Sequence, residues 1–268
     1  MNPMCERFHE LHRHDTFLIP NPWDIGSARL LQSMGYEALA TTSSGFAHSL
    51  GRMDQRVSLD ELVGHVGALC KAVDIPLNVD FEWGFAERPE QLAGNIARLA
   101  EAGAAGFSLE DYNPATGRVV DIEQAVERVH AGASAAAEHG LVFTARCENH
   151  LYGHTDLDGT LERLSRFVQA GAQVLYAPGV KAAADIARVV ALGVPVNQLA
   201  VAGTPPVAEL RALGVRRVSV GGAFAQVAYA ALLEAAQELR GPGEYTYLQR
   251  RLRREDAQAA FRVGNGDD

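Results

Sequence analysis

Eight times along this 268-residue chain a short apolar run, often β-branched, gives way to an Ala- and Leu-rich stretch with helical spacing. The runs are Phe17–Pro20, Ala38–Thr42, Leu77–Phe81, Gly106–Leu109, Val142–Ala145, Val174–Ala177, Val196–Leu199 and Val218–Val220. Short, nearly continuous apolar strands belong to parallel sheets covered on both faces. The stretches between them are Asp24–Met34, Ser58–Val73, Pro89–Ala102, Ile122–His139, Leu157–Ala170, Ala182–Leu192, Pro206–Leu213 and Ala223–Leu239. Ser58 with Glu61 makes a capping-box pattern. Gly103, Gly171, Gly193 and Gly214 follow helical stretches as the left-handed residue that stops them. Eight strand–helix units predict an α/β fold, a closed (β/α)8 barrel of the TIM type rather than an open doubly wound sheet.

Residues 241–268 add a charged extension with a further helix, roughly Tyr247–Phe261, that carries Arg250, Arg251, Arg253 and Arg254. Its charges read as a solvated face or a contact between subunits. No linker or low-complexity segment divides the chain, so residues 1–268 are expected to form one domain. The formal net charge of −9 argues against nucleic acid and anionic membranes as partners. It leaves room for an anionic small molecule, because a bound cation reverses the local field. Cys5, Cys70 and Cys147 form no CxxC pair, so neither a disulfide framework nor a structural zinc site is expected. The polar start of the chain lacks the apolar run of a signal peptide, and no stretch has the length of a membrane-spanning helix. Together these predict a cytoplasmic protein.

In such barrels the active site forms at the C-terminal ends of the strands. The second strand ends in Thr41-Thr42-Ser43-Ser44-Gly45, the third in Asp80-Phe81-Glu82 and the fourth in Glu110-Asp111. The fifth ends in Arg146-Cys147-Glu148, and the seventh carries Asn197 and Gln198. Asp80 and Glu82, two apart on a strand, point the same way, and Glu110 ends the neighbouring strand. Three crowded carboxylates call for a positive charge. Mg²⁺, which takes oxygen ligands and keeps several waters, fits; pairing of one carboxylate with Arg146 is the structural alternative. The Ser44-Gly45-Phe46 turn offers backbone N–H groups to a carboxylate or an oxyanion, or is simply the end of a strand. Arg146 suits either bidentate carboxylate recognition or an ion pair inside the barrel.

The run NPWDIGSARLLQSMGYEALATTSSGFAHSLGRMD, followed by VDFEWGF, SLEDYN and TARCENHL, resembles the isocitrate lyase/phosphoenolpyruvate mutase superfamily in order and spacing over roughly residues 15–240. The resemblance implies a (β/α)8 barrel whose last helix is exchanged with a neighbouring subunit, hence a homodimer or homotetramer. It also implies a small α-oxo acid as substrate and Mg²⁺, or Mn²⁺ in its place, as cofactor. Asp80 would be the direct metal ligand, Glu82 and Glu110 would hold metal waters, and Asp54 would bind that water shell. Ser44, Gly45 and Phe46 would cradle the substrate carboxylate or oxo group. Arg146, and with it Asn197 of the seventh strand, would face the substrate, and Glu148 would support the site.

The sequence departs from that pattern in the loop after the fourth strand. The lyases carry a KKCGH-type segment there, whose cysteine does acid–base work. This chain reads Asp111-Tyr112-Asn113-Pro114-Ala115-Thr116-Gly117-Arg118, without Cys, Lys or His. Cys147 should face away from the site, because it neighbours Arg146 on a strand. Tyr112, Tyr152, His48 and His150 remain as proton-transfer candidates, each equally readable as a packing or surface residue; His12 and His14 are not expected to be ligands. The leading expectation is Mg²⁺-dependent C–C bond cleavage of an α-oxo or 2-hydroxy acid through an enolate, as lyase or oxaloacetate-type decarboxylase. Phosphorus–carbon chemistry and a catalytically weak oxo-acid-binding homologue are the alternatives.

Overall fold

A computed structural model describes residues 2–261. Eight parallel strands follow the sequence runs: β1 Phe17–Ile19, β2 Leu39–Ala40, β3 Leu77–Asp80, β4 Gly106–Glu110, β5 Val142–Arg146, β6 Val174–Tyr176, β7 Val196–Leu199 and β8 Arg217–Ser219. Their order around the sheet is β1-β8-β7-β6-β5-β4-β3-β2, so every paired couple is consecutive in sequence except β1 with β8, which joins the first strand to the last. The ring nearly closes between β1 and β2, where Ala40 N–H donates to Pro20 O at 3.1 Å and Asn21 Nδ2 donates to Thr41 O at 2.8 Å.

The helices are α1 Pro3–Leu11, α2 Ile25–Ser33, α3 Ser43–Ser49, α4 Leu59–Ala72, α5 Leu92–Glu101, α6 Ile122–His139, α7 Leu157–Gln169, α8 Ala183–Val190, α9 Val207–Ala212, α10 Ala223–Arg240 and α11 Arg254–Phe261. Ser58 and Glu61 form the expected capping box at the start of α4. The expected helix over Tyr247–Phe261 is instead a 3-10 turn, Thr246–Arg250, followed by α11 packed along α2. Residues 262–268 of the expected extension lie outside the described residues. No helix among the described residues is long and apolar enough to cross a membrane.

Strand alternation sorts the side chains. Leu77, Val79, Phe107, Leu109, Phe143 and Ala145 face outward and build the apolar core beneath the helices. The inward positions are largely polar. Arg217 on β8 donates from Nε to Asn197 Oδ1 and from Nη2 to Thr144 Oγ1, both at 2.9 Å. Helix α1, which the sequence reading left as a polar tail, closes the bottom of the barrel. Its Phe8 is fully buried against Gly106, where an added Cβ would lie 2.8 Å from the ring and 2.6 Å from Val142 O. His12 follows α1 into the same floor. Its Nδ1 lies 2.7 Å from Phe8 O and its Nε2 3.4 Å from Arg217 Nη1, which fixes a neutral ring with the proton on Nδ1. Burial lowers the His12 pKa to about 3 and that of Arg217 to about 9.

Candidate active site

At the C-terminal ends of the strands a cavity of ≈ 230 Å³ opens. It is smaller than the roughly 300–1,000 Å³ of pockets for drug-sized ligands, so it suits a small acid. Arg146 stands at its centre. Its Nη1 meets Asp80 Oδ1 and Glu110 Oε1, each at 2.8 Å, and its Nε meets Glu148 Oε1 at 2.9 Å. Burial opposes the Arg146 charge, but Glu110, Glu148 and Asp80 outweigh it and hold the guanidinium ionised. The guanidinium carbon lies 4.9 Å from the centre of the Tyr176 ring, a cation–π contact with a buried phenol whose pKa burial raises to about 12.

The carboxylates are fixed by backbone. Asp80 Oδ2 accepts the Ser43 N–H at 3.2 Å, and the Asp80 N–H donates to Thr41 Oγ1 at 2.9 Å. Glu82 follows β3 with φ of 48°, a conformation that a non-glycine residue adopts only at a cost. Its carbonyl accepts the Glu110 N–H at 2.8 Å, tying the third strand end to the fourth. The Glu148 N–H donates to buried Asp111 Oδ1 at 2.8 Å, and Arg163 pairs with Asp111 Oδ2 at 3.2 Å. Burial, then the charges of Asp80 and Asp54, push Glu82 up to about 8. Burial likewise raises Glu110 and Glu148, and takes Asp111 to about 7.

The pattern of the phosphoenolpyruvate phosphomutase family matches residues 8–240. The chain belongs to that family. It is 43% identical to a Burkholderia cenocepacia J2315 protein of known crystal structure, with a TM-score of 0.92 over 96% of this chain and 95% of that one. It is 28% identical to the oxaloacetate decarboxylase of Paraburkholderia xenovorans over 86% of this chain and 80% of that protein. It is 30% identical to the 2-methylisocitrate lyase of Escherichia coli, spanning 56% of this chain and about half (53%) of that enzyme. The matched relatives are named as lyases, decarboxylases and mutases, and this chain is an enzyme of the phosphoenolpyruvate mutase/isocitrate lyase superfamily.

The family site is set by which strand-end residues reach the cavity. Asp80, Glu82, Glu110, Arg146 and Glu148 all line it, with Ser44 on the opposite wall and Asp54 at the rim. Loss of water around the Asp54 carboxyl, then the charge of Asp80, raises its pKa. Asn197 lies deeper; its amide is held by Arg217 on one side and by Ser219 Oγ at 2.9 Å on the other. Gly45 and Phe46 do not line the cavity. Their N–H groups are taken up by Thr42, which caps α3: Gly45 N–H donates to Thr42 Oγ1 at 3.3 Å and Phe46 N–H to Thr42 O at 3.0 Å. Phe46 stacks on His65 at 3.8 Å, and a Cβ on Gly45 would meet Thr42 Cγ2 at 2.6 Å. The segment read as an open turn is thus the first turn of a helix, and Ser43 with Ser44 faces the cavity. Cys147 is fully buried and points into the outer core, as its place beside Arg146 requires. Tyr176 lines the site without having been singled out, and so do Ser43, named only within its strand end, and Tyr152, named only as a proton-transfer candidate. Only the alternation that places Tyr176 level with Arg146 across β5 and β6 could have flagged it.

The donor set fits a hard divalent cation. Five carboxylates, Asp54, Asp80, Glu82, Glu110 and Glu148, against two guanidinium groups, Arg146 and Arg217, leave an excess of acidic oxygen donors around the cavity. Among the described residues no three His, Cys, Asp or Glu side chains converge as a direct ligand set. Arg146 Nη1 sits between Asp80 and Glu110 as the positive charge. The pairing of a carboxylate with Arg146, weighed as the alternative to a metal, is therefore formed, and the remaining donors are oxygens of the kind Mg²⁺ takes, largely through water.

Proposed function

We propose that this chain is a Mg²⁺-dependent enzyme, with Mn²⁺ able to substitute, that breaks a carbon–carbon bond in a small α-oxo or 2-hydroxy acid through an enolate. The observation that carries the reading is the cluster of Asp80, Glu110 and Glu148 around Arg146 in a small cavity at the strand ends. Asp80 would hold the ion directly, Glu82 and Glu110 its waters, and Asp54 the outer water shell. When bound, the ion supplies a Lewis acid that draws charge from the substrate's oxo oxygen. Ser44 meets the substrate carboxylate, with Gly45 and Phe46 shaping the turn that presents it. Arg146, braced by Glu148 and Tyr176, orients the substrate, and Asn197 with Arg217 keeps the cavity floor rigid. Phosphorus–carbon chemistry would need cations for a phosphonate, whereas Arg146 is already engaged by three carboxylates.

Calorimetric titration with oxalate, a planar mimic of the pyruvate enolate, tests the reading directly. With Mg²⁺ the expected affinity is micromolar, about −8 kcal/mol, and with EDTA binding is weaker by about 100-fold or more. Equal binding in both conditions, or none, would remove the metal-dependent enolate site. Oxaloacetate, substituted malates and phosphonopyruvate are the panel for turnover; tight oxalate binding with no product from any of them would favour the catalytically weak homologue.

The same reading includes a homodimer or homotetramer that exchanges α10. Only Ala225 of α10 is buried, and Val227, Leu232 and Leu233 are each more than 60% exposed. An apolar helix face left open by its own barrel fits a neighbouring barrel. Light scattering is expected to give a multiple of the 28.8 kDa chain mass, and Leu232→Glu with Leu233→Glu to shift it towards the monomer. A wild-type monomer would overturn the exchange.

A further inference from the structure

The loop after β4 lacks the Cys, Lys or His that could move a proton at the reacting carbon. The structure separates the four remaining candidates. His48 meets Tyr229 of α10 edge-on, ring centres 6.3 Å apart. His150 packs under Gly179, where an added Cβ would lie 2.8 Å from His150 Cβ. Neither lines the cavity. Tyr152 does, at the mouth, above Glu110 and Glu148. Tyr112 stacks face to face on it, centroids 3.8 Å apart with planes 9° off parallel, which sets the two phenols side by side.

That stack joins two separate loops. Tyr112 begins a two-stranded ribbon, Tyr112–Asn113 with Arg118–Val119, directly after β4. Tyr152 ends the 3-10 turn Asn149–Tyr152 after β5. The stack thus roofs the cavity with an ordered phenol pair in place of a long acid–base loop. Other hydroxyls on the wall have partners there: Ser219 Oγ accepts from Asn197 Nδ2 at 2.9 Å, and Thr42 Oγ1 lies 3.2 Å from Ser44 Oγ. Tyr152 is 41% exposed, so its hydroxyl can reach both the cavity and water.

We propose that Tyr152 is the proton donor to C3 of the enolate, with Tyr112 as its ordered link to solvent; the assignment rests on the enolate reading above. Cleavage of the carbon–carbon bond leaves its electron pair conjugated over C3 and the oxo oxygen. The Tyr152 O–H bond breaks, a C3–H bond forms with that pair, and the phenolate left on Tyr152 regains a proton from water through the Tyr112 hydroxyl. In reverse, the same group removes a C3 proton from a bound oxo acid.

The test is hydrogen–deuterium exchange at C3 of 2-oxobutanoate in D₂O with Mg²⁺, followed by proton NMR. This oxo acid has no group to lose, so the unknown substrate does not enter. Wild-type enzyme is expected to exchange one of the two C3 hydrogens selectively. Tyr152→Phe, which keeps the stack, should lower that exchange about 100-fold or more while calorimetric oxalate affinity stays within about threefold. Tyr112→Phe should lose less. Exchange by Tyr152→Phe at the wild-type rate overturns the assignment, as does a wild-type enzyme that binds oxalate but exchanges neither hydrogen. Failure of wild-type oxalate binding overturns the enolate reading itself, and the assignment with it.

Discussion

Replacing Asp80 with alanine is expected to abolish the Mg²⁺ dependence of oxalate binding and to lower turnover by more than about 100-fold, the upper end of what removing an outer-sphere metal partner costs. Asp80 ends β3 with both oxygens committed, one to Arg146 and one to the Ser43 N–H. Its backbone N–H is anchored on Thr41, so the side chain projects from a rigid strand rather than a loop. Removing it leaves Arg146 still paired with Glu110 and Glu148, and the guanidinium is not stranded in the interior. The fold should therefore survive, at a cost of about 1–3 kcal/mol for the unpaired Ser43 N–H and the lost ion pair. Thermal melting, oxalate calorimetry and turnover on the acid panel separate the two effects. A variant that melts normally and keeps Mg²⁺-dependent binding would show that the carboxylate cluster is structural.

The second large effect is a pH-dependent loss of stability that a divalent ion should reverse. Glu82 rises from 4.5 to about 8 in the folded protein and Asp111 from 3.8 to about 7, both chiefly by burial. A carboxyl whose folded pKa is raised contributes stability below its unfolded value and loses it as pH rises through the folded one. His65 and His12 act in the other direction. Burial depresses them from 6.5 to about 4 and about 3, so their contribution is present above 6.5 and lost below it. Between pH 6.5 and about 8 the histidines are neutral in both states, and the carboxyls alone set the slope. In EDTA the melting temperature should fall across this window. Mg²⁺ at a hundred times its dissociation constant should add about 2.7 kcal/mol, roughly 5–10 °C for a chain of this size. A melting temperature flat with pH in EDTA and indifferent to Mg²⁺ would contradict both the crowding of the carboxylates and the metal.

The relation between these residues and their environment shows what a one-dimensional reading reaches. Asp80 with Glu82, and Arg146 with Glu148, are two residues apart, which puts each pair at one strand end; Glu82 and Glu148 lie just past β3 and β5, so alternation along a strand is not what aims them. The strand runs were found to within one or two residues, since each is a short apolar stretch bounded by Pro, Gly or a helix cap. Ser58 and Glu61 marked the start of α4 because a capping box is a local hydrogen-bond pattern.

Contacts distant in sequence were another matter. The partner of Arg146 was left open because Asp80 and Glu110 come from other strands, 66 and 36 positions away, and only barrel closure sets the 2.8 Å contacts. Ser44-Gly45-Phe46 looked like an open turn, yet packing of Gly45 against Trp23 and Ala225 draws it into a helix and turns Phe46 onto His65. The polar segment before β1 became a helix because Phe8 and His12 found Gly106 and Arg217 at the barrel floor. Sequence by itself determined the repeating units, the residue types at the strand ends and a loop after β4 without Cys, Lys or His, because those depend on periodicity and residue type. Tertiary structure alone decided the pairing of Arg146, the polar floor and the Tyr112–Tyr152 roof, because each is made by side chains that meet only when the eight strands curl into a ring.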